Sequence, residues 1–167
     1  MEQQANGFLT QMVQPVLRQL GVESRLFESL LLGAAWTTGF SPWQPSSNRL
    51  GIYGLDASWH RRLWDDWLAF QPELASRVRG FAGQHSFLND PHHELVNNLT
   101  YATAVAVCAL LRHSEKNPDQ LAKTMDAGSL TATWAAATDL KPEDWTLYFQ
   151  GYERALTLSG RRNLAAA

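Results

Sequence analysis

Apolar residues recur along most of this chain at the spacing of three and four positions that places them on one face of an α-helix. The first stripe runs from Phe8 to Leu20 and ends at Gly21, and Pro15 is expected to kink it. A second apolar run, from Leu26 to Trp36, leads into a turn at Gly39. The pattern therefore predicts two consecutive helices at the start of the chain.

Proline and glycine mark where further helices begin and end. Asp90 and Pro91 are the strongest start signal, an N-cap followed by proline at the first helical position. A short strand is predicted only at Gly51 to Leu55, so the fold class is all-α with at most a vestigial strand or hairpin. The remaining predicted helices run from Ser58 to Phe70, Glu73 to Phe87, Pro91 to His113, Pro118 to Met125, Leu130 to Ala137 and Pro142 to Leu158.

No repeat, linker or block of charge divides the chain. Its 167 residues fall within the usual size of one domain. We expect a single domain over residues 1–167, with a frayed tail at 159–167. The central helix is predicted to be either Leu26–Trp36 or Leu95–Leu111, because the second is apolar nearly all round from Tyr101 onward.

Four short segments follow in the order helix end, Gly-flanked hydrophobic element, helix and core helix. They are AWTTGFSP at 35–42, GIYG at 51–54, HRRLW at 60–64 and NLTYATA at 98–104. Together they resemble the catalytic core of the lysozyme-like lytic transglycosylases, especially the short versions found in phage virion and prophage genes. The resemblance extends in element order from Phe8 to Ala155 and implies a lysozyme-like helical domain with a glycan cleft.

The chain departs from this family at the positions that carry the chemistry. The resemblance places the catalytic Glu at Thr37 or Thr38 and the Gln of a Gly-x-Tyr-Gln motif at Gly54. The sequence leaves open whether the threonine is natural or was engineered from Glu. A glycosidase acid must protonate the leaving oxygen at working pH, and a threonine hydroxyl cannot do so. Two carboxylates are fallback acids. Glu28 lies roughly 13 Å before Thr37 along the same helix, and Asp56 is also a normal helix N-cap.

Aromatic side chains flank the predicted cleft and allow more than one interpretation. They can stack on sugar rings, dock a protein partner or fill the core, and core packing is the commonest of these roles. His60 is expected in surface or loop packing, with cleft contact as the alternative. The substrate-binding set that the resemblance implies is Phe40, Trp43, Gly51, Tyr53, Gly54, His60 and Tyr101.

Charge and composition narrow the choice of partners. The formal net charge is −2 and no basic stripe is present, which argues against nucleic acid and weakens the case for a freely diffusing cell-wall enzyme. The single cysteine, Cys108, lies in an apolar run and is expected to be a buried, inert thiol. No ligand set has metal-binding spacing, so neither a metal nor another cofactor is expected. The sequence lacks a signal-peptide pattern, and no apolar run reaches the roughly 20 residues of a membrane span.

These observations favour a phage virion-associated structural or binding protein built on an inactive transglycosylase fold, such as a tail, baseplate or ejected internal component. Its partners would be other virion proteins and possibly peptidoglycan strands. It would reside in the virion, or in the host cytoplasm before assembly, reaching the periplasm only by particle delivery. The alternative is an active muramidase or lytic transglycosylase that uses a displaced carboxylate. A toxin-immunity or inhibitor protein on the same helices is the third reading.

Overall fold

Ten α-helices and one β-hairpin make up the part of the chain that the computed structural model describes, residues 1–42 and 48–160. Strands β1 (Arg49–Leu50) and β2 (Leu55–Asp56) pair antiparallel, with Arg49 opposite Asp56. The all-α prediction is confirmed. The helices are α1 (Glu2–Phe8), α2 (Gln14–Gln19), α3 (Arg25–Thr37), α4 (Ala57–Asp66), α5 (Pro72–Phe81), α6 (Gln84–Asn89), α7 (Pro91–Asn97), α8 (Leu99–Lys116), α9 (Ala127–Thr138) and α10 (Trp145–Leu158).

Short non-α turns account for several boundaries that the sequence did not predict. A π-helical turn, Leu9–Val13, joins α1 to α2 and lies directly before Pro15, whose missing N–H cannot continue the α-helical ladder. The predicted helix from Pro118 to Met125 is wrong, since only the 3-10 turn Pro118–Gln120 forms there. The predicted strand from Gly51 is also wrong in detail, because 51–54 form the turn of the hairpin.

Two long predicted helices are each broken in the middle. The helix predicted from Glu73 is interrupted at Ala82 and Gly83, between α5 and α6. The helix predicted from Pro91 bends by 110° at Asn98, between α7 and α8. The Asn98 side chain explains the bend, because its oxygen caps α8 by accepting from the Tyr101 N–H at 3.0 Å.

Buried Glu94 ties both breaks together. Its carboxylate accepts hydrogen bonds from the Gly83 N–H at 3.1 Å and from the Asn98 side-chain amide at 2.8 Å. The same Asn98 amide also donates to the Phe81 carbonyl oxygen at 2.8 Å. A charged residue that is 5% exposed therefore closes the corner where four helix ends meet.

Helices α3, α8 and α10 form the centre of the core, so both helices proposed as the centre are buried. Two glycines allow α3 and α10 to pack closely. A Cβ atom on Gly33 would lie 1.9 Å from the Tyr152 ring, and a Cβ atom on Gly151 would lie 2.0 Å from the Thr37 hydroxyl. The Tyr152 hydroxyl donates to the Leu30 carbonyl oxygen at 3.0 Å.

Cys108 on α8 is buried as predicted, and burial raises the pKa of its thiol. Among the described residues, no single helix has the length and apolar composition needed to cross a membrane. The bent pair α7 and α8 meets those two criteria only when both helices are counted together.

Candidate functional site

The two threonines at the end of α3 are engaged in structural contacts. The Thr37 hydroxyl donates to the Gly33 carbonyl oxygen at 2.8 Å and faces the backbone of α10 at Gly151. The Thr38 hydroxyl donates to the Ile52 carbonyl oxygen at 2.5 Å and lies 2.9 Å from the Ala35 carbonyl oxygen. At both positions proposed for the acid, the side chain therefore joins α3 to its neighbours.

The hairpin turn depends on two glycines with left-handed backbone angles. Gly51 has φ +73°, and a Cβ atom there would lie 2.1 Å from the Leu95 carbonyl oxygen. Gly54 has φ +62°, and a Cβ atom there would lie 2.6 Å from the Tyr148 hydroxyl. That hydroxyl donates to the Tyr53 carbonyl oxygen at 3.0 Å. Thus a Tyr hydroxyl from α10 lies against Gly54, where the resemblance places a Gln side chain.

Tyr53 and Tyr101 are buried rather than presented to solvent, being 1% and 0% exposed. The Tyr53 hydroxyl hydrogen bonds to the Thr103 hydroxyl at 2.8 Å, and burial raises the pKa of Tyr53. Burial likewise raises the pKa of Tyr101, whose hydroxyl accepts from the Trp64 indole N–H at 3.0 Å. In this structure both tyrosines position the hairpin and α4 against α8, and neither is open to a ligand.

His60 is only 1% exposed, so its expected surface or loop position is wrong. Its Nε2 lies 2.8 Å from the Tyr101 hydroxyl and its Nδ1 lies 2.9 Å from His92 Nδ1. Both contacts are hydrogen bonds when the Tyr101 hydroxyl donates to His60 Nε2 and His60 Nδ1–H donates to His92 Nδ1. Burial, together with the charge of His92, lowers the pKa of His60 to about 3, so this buried ring is neutral at pH 7.

A cleft of about 590 Å³ opens between the hairpin, the start of α4 and the segment after α9. Two ion pairs cross its walls, Arg49 with Asp144 and, at 2.8 Å, Arg62 with Asp139. The cleft thus offers paired charges and backbone groups to a polar ligand. Its lining residues are Asn48, Arg49, Gly54, Asp56, Ser58, Trp59, Arg62, Thr138, Asp139, Leu140, Lys141, Glu143 and Asp144.

Asp56 lies in this cleft but has the environment of a helix cap. It accepts from the Trp59 N–H at 3.0 Å and from the Ser58 hydroxyl. Burial by itself would raise the pKa of Asp56, but these hydrogen bonds outweigh burial and hold the pKa below its ordinary value. The side chain is therefore ionised at neutral pH, which is the wrong protonation state for a general acid.

Glu28, the second fallback acid, lies in the first turn of α3, at the opposite end of that helix from Thr38. Its carboxylate accepts from the Gln14 side-chain amide at 3.4 Å, and it lines a different groove with Arg18 and Arg25. The structure does not bring Glu28 to the cleft that Asp56 lines.

The remaining predicted binding residues divide between the core and the cleft. Phe40 adopts φ +56° and packs edge-on against Phe8, with ring centroids 5.1 Å apart. Gly51 is buried under the hairpin, whereas Gly54 lines the cleft. Trp43 lies outside the described residues.

The charged cleft residues were missed because they come together only in the fold. Arg49 and Asp144 are 95 positions apart in the chain, and Arg62 and Asp139 are 77 apart. Lys141 adds a further charge from the loop after α9. Among these residues, only Arg49 had a local sequence signal, since it lies two residues before Gly51 at the start of the Gly-flanked turn.

Comparison with known proteins gives no relative, since no family model, no curated protein and no solved structure matches this chain. Within residues 1–42 and 48–160, no group of three or more His, Cys, Asp or Glu side chains is arranged to hold a metal ion. The function is therefore inferred from the cleft and from the contacts around it.

Proposed function

We propose that this chain is a non-catalytic binding domain on a lysozyme-like scaffold, and that its cleft beside the hairpin binds peptidoglycan glycan strands. The observation that carries the proposal is the state of the positions where an acid is needed. The hydroxyls of Thr37 and Thr38 bond to backbone carbonyl groups, and Asp56 caps α4 with a lowered pKa. Thr37, Thr38 and Asp56 therefore do not supply the protonated carboxyl that glycoside cleavage requires.

The contacts between the resembling segments support the scaffold part of the proposal. Thr38 of the first segment bonds to Ile52 of the second. His60 of the third segment bonds to Tyr101 of the fourth. These two contacts support the proposed scaffold, in which the four segments are expected to lie together.

The chemistry of the cleft suits a neutral, hydroxyl-rich ligand with occasional charges. Ion-paired Arg62 retains N–H groups that can donate to sugar oxygens, and Asp139 and Asp144 retain oxygens that can accept from sugar hydroxyls. Trp59 lines the same wall, but at 3% exposed it shapes the cleft rather than presenting its indole face to a ligand. The Arg49–Asp144 pair is the less exposed of the two ion pairs, with side chains 18% and 29% exposed, and its mutual pairing lowers the entropic cost of binding.

The setting that we propose is a phage virion, as part of the tail, baseplate or ejected internal proteins. A virion component needs protein partners, and α10 has an exposed apolar surface suited to one. Trp145 and Phe149, one helical turn apart on α10, form this surface and are 44% and 39% exposed. Docking of another virion protein on this surface is the second candidate function, because large exposed apolar groups commonly mark such interfaces.

Co-sedimentation with purified peptidoglycan, combined with a turbidity assay, tests the proposal. The unmodified protein should pellet with the substrate and leave its turbidity unchanged. Lys141→Glu, in the cleft, should weaken pelleting, whereas Lys123→Glu makes the same charge change at an exposed site outside the cleft and should not. Clearing by the unmodified protein would establish an active enzyme instead. Absence of pelleting would leave protein docking as the function to test.

A further inference from the structure

We propose that the binding groove continues past the Arg62–Asp139 ion pair into a cationic subsite at the end of α8, which binds a carboxylate of the glycan strand. This inference rests on the proposed function and specifies its ligand. A second cleft of about 240 Å³ shares Trp59, Arg62 and Asp139 with the main cleft. The two clefts therefore adjoin at the ion pair. The other lining residues of the second cleft are Asp66, Arg112, His113, Lys116, Asn117, Ala136 and Ala137.

The Arg62–Asp139 ion pair, which lies between the two clefts, is a weak barrier to a ligand. Its two side chains are 53% and 64% exposed, and exposed pairs contribute little to stability because water screens them. Both side chains can shift when a ligand crosses from one cleft to the other. An extended strand can thus occupy both clefts without any change in the backbone.

Positive charge exceeds negative charge in the second cleft. Arg62 is paired with Asp139, which leaves Arg112 and Lys116 facing Asp66 as the only other carboxylate of the lining. Arg112 and Lys116 are one helical turn apart on α8 and share a face. In the described ranges neither of them forms an ion pair.

His113 supplies an independent sign of a missing ligand. It is 5% exposed, and its Nε2 is the one buried side-chain nitrogen or oxygen of the described residues that has no hydrogen-bond partner. A buried polar atom without a partner costs free energy, and native structures contain few of them. A carboxylate oxygen that reached Nε2 would accept a hydrogen bond from its N–H and supply the missing partner.

The same cations have a simpler explanation that must be tested against this one. Basic residues in the last turn of a helix offset the partial negative charge of its terminal carbonyl groups. A purely structural role of this kind predicts that substituting Arg112 and Lys116 lowers stability and leaves ligand binding unchanged. It leaves His113 Nε2 without a partner.

The first experiment follows the imidazole signals of His113 by ¹H–¹⁵N NMR while sodium acetate replaces sodium chloride at constant ionic strength. We expect the His113 signals to shift and saturate, and those of exposed His85 to stay in place. Arg112→Gln/Lys116→Gln should abolish the shift. An unmoved His113 signal in the unmodified protein would overturn the anion subsite, whatever the glycan results show.

The second experiment compares peptide-free peptidoglycan strands, which carry lactyl carboxylates, with neutral N-acetylglucosamine oligomers of equal length. The unmodified protein should bind the carboxylate strand about tenfold more tightly. Arg112→Gln/Lys116→Gln should lose this preference, and the control Lys123→Gln/Arg154→Gln, at exposed positions outside both clefts, should keep it. Equal binding of both strands by the unmodified protein would overturn the inference and leave the proposed function standing. Binding of neither strand would overturn the proposed function and, with it, the subsite on the glycan groove.

Discussion

The Thr38 hydroxyl lies 2.5 Å from the Ile52 carbonyl oxygen and thereby joins the end of α3 to the turn of the hairpin. This bond occupies the place where a lysozyme-like acid would project into a cleft. The site is thus closed by a short side chain that a carboxylate could not replace without displacing the turn.

Replacing Thr38 by Glu should therefore destabilise the protein without producing lytic activity. The longer, charged side chain meets the Ile52 carbonyl oxygen, and we expect a loss of about 2 kcal/mol or more in the free energy of unfolding. Thr38→Ser, which keeps the hydroxyl, should cost less than about 1 kcal/mol. Urea unfolding and peptidoglycan turbidity measure the two effects. A stable Thr38→Glu protein that clears peptidoglycan would show that the catalytic cleft is intact.

The contact between α3 and α10 gives a second prediction. Gly33→Ala and Gly151→Ala place a Cβ atom 1.9 Å and 2.0 Å from atoms of the opposite helix. Overpacking of this kind should lower the free energy of unfolding by about 1–3 kcal/mol.

Two other helical glycines serve as matched controls, since a Cβ atom on Gly7 or Gly80 would meet nothing within 4 Å. There the change to alanine should stabilise by up to about 1 kcal/mol, because alanine has the higher helix propensity. Thermal unfolding of the four variants measures both signs. Equal effects in all four would contradict close packing between α3 and α10.

His60 makes stability depend on pH in a defined direction. Its pKa is about 3 in the folded protein against 6.5 for the free side chain, so the unfolded chain binds the proton first as pH falls. The contribution is fully present above pH 6.5 and is lost between about 6.5 and 3, on the order of 4 kcal/mol in total. His60→Gln should flatten this part of the stability profile, and His85→Gln at an exposed site should not. Urea unfolding at several pH values measures it, and a His60 NMR titration midpoint near 6.5 would refute the burial argument.

The corner held by Glu94 gives the fourth prediction. Asn98→Ala removes the cap of α8 and two side-chain donations, so we expect a loss of about 2–3 kcal/mol in unfolding free energy. Asn97→Ala, at the adjacent exposed position, should change stability by less than about 1 kcal/mol. Hydrogen exchange should show faster opening of α6 and α7 in Asn98→Ala alone. Equal hydrogen-exchange protection of α6 and α7 in both variants would show that Asn98 does not hold this corner together.

Local signals in the sequence were sufficient for the positions of most helices. Asp90 and Pro91 open α7 as predicted, and the Asp90 carboxylate accepts from the N–H groups of His92 and His93. Hydrophobic periodicity could not show the bend at Asn98, because apolar residues occur both in α7, before the bend, and in α8, after it. That bend needs Glu94 and Phe81, which are brought to Asn98 by tertiary packing.

The cleft was less accessible to sequence reasoning than the fold. Patterns within a few residues predicted a short strand from Gly51 to Leu55, whereas residues 51–54 form the hairpin turn, with Gly51 and Gly54 in left-handed backbone angles that glycine adopts readily. The family resemblance placed Tyr53 and His60 in a substrate-binding set, whereas the structure buries both. An aromatic or imidazole side chain beside a Gly-rich turn has the same sequence signature whether it points outward or inward, and only packing decides between them.

The Tyr148 hydroxyl donates to the Tyr53 carbonyl oxygen and receives a hydrogen bond from Arg49, so a side chain of α10 holds a hairpin that lies about 95 positions earlier in the chain. During synthesis on the ribosome, the hairpin emerges long before α10 does. Its turn stays without this support until the C-terminal helix has left the exit tunnel and docked against α3. The binding cleft is accordingly a late product of folding, and a nascent chain that stalls before α10 carries the residues of the cleft without its shape.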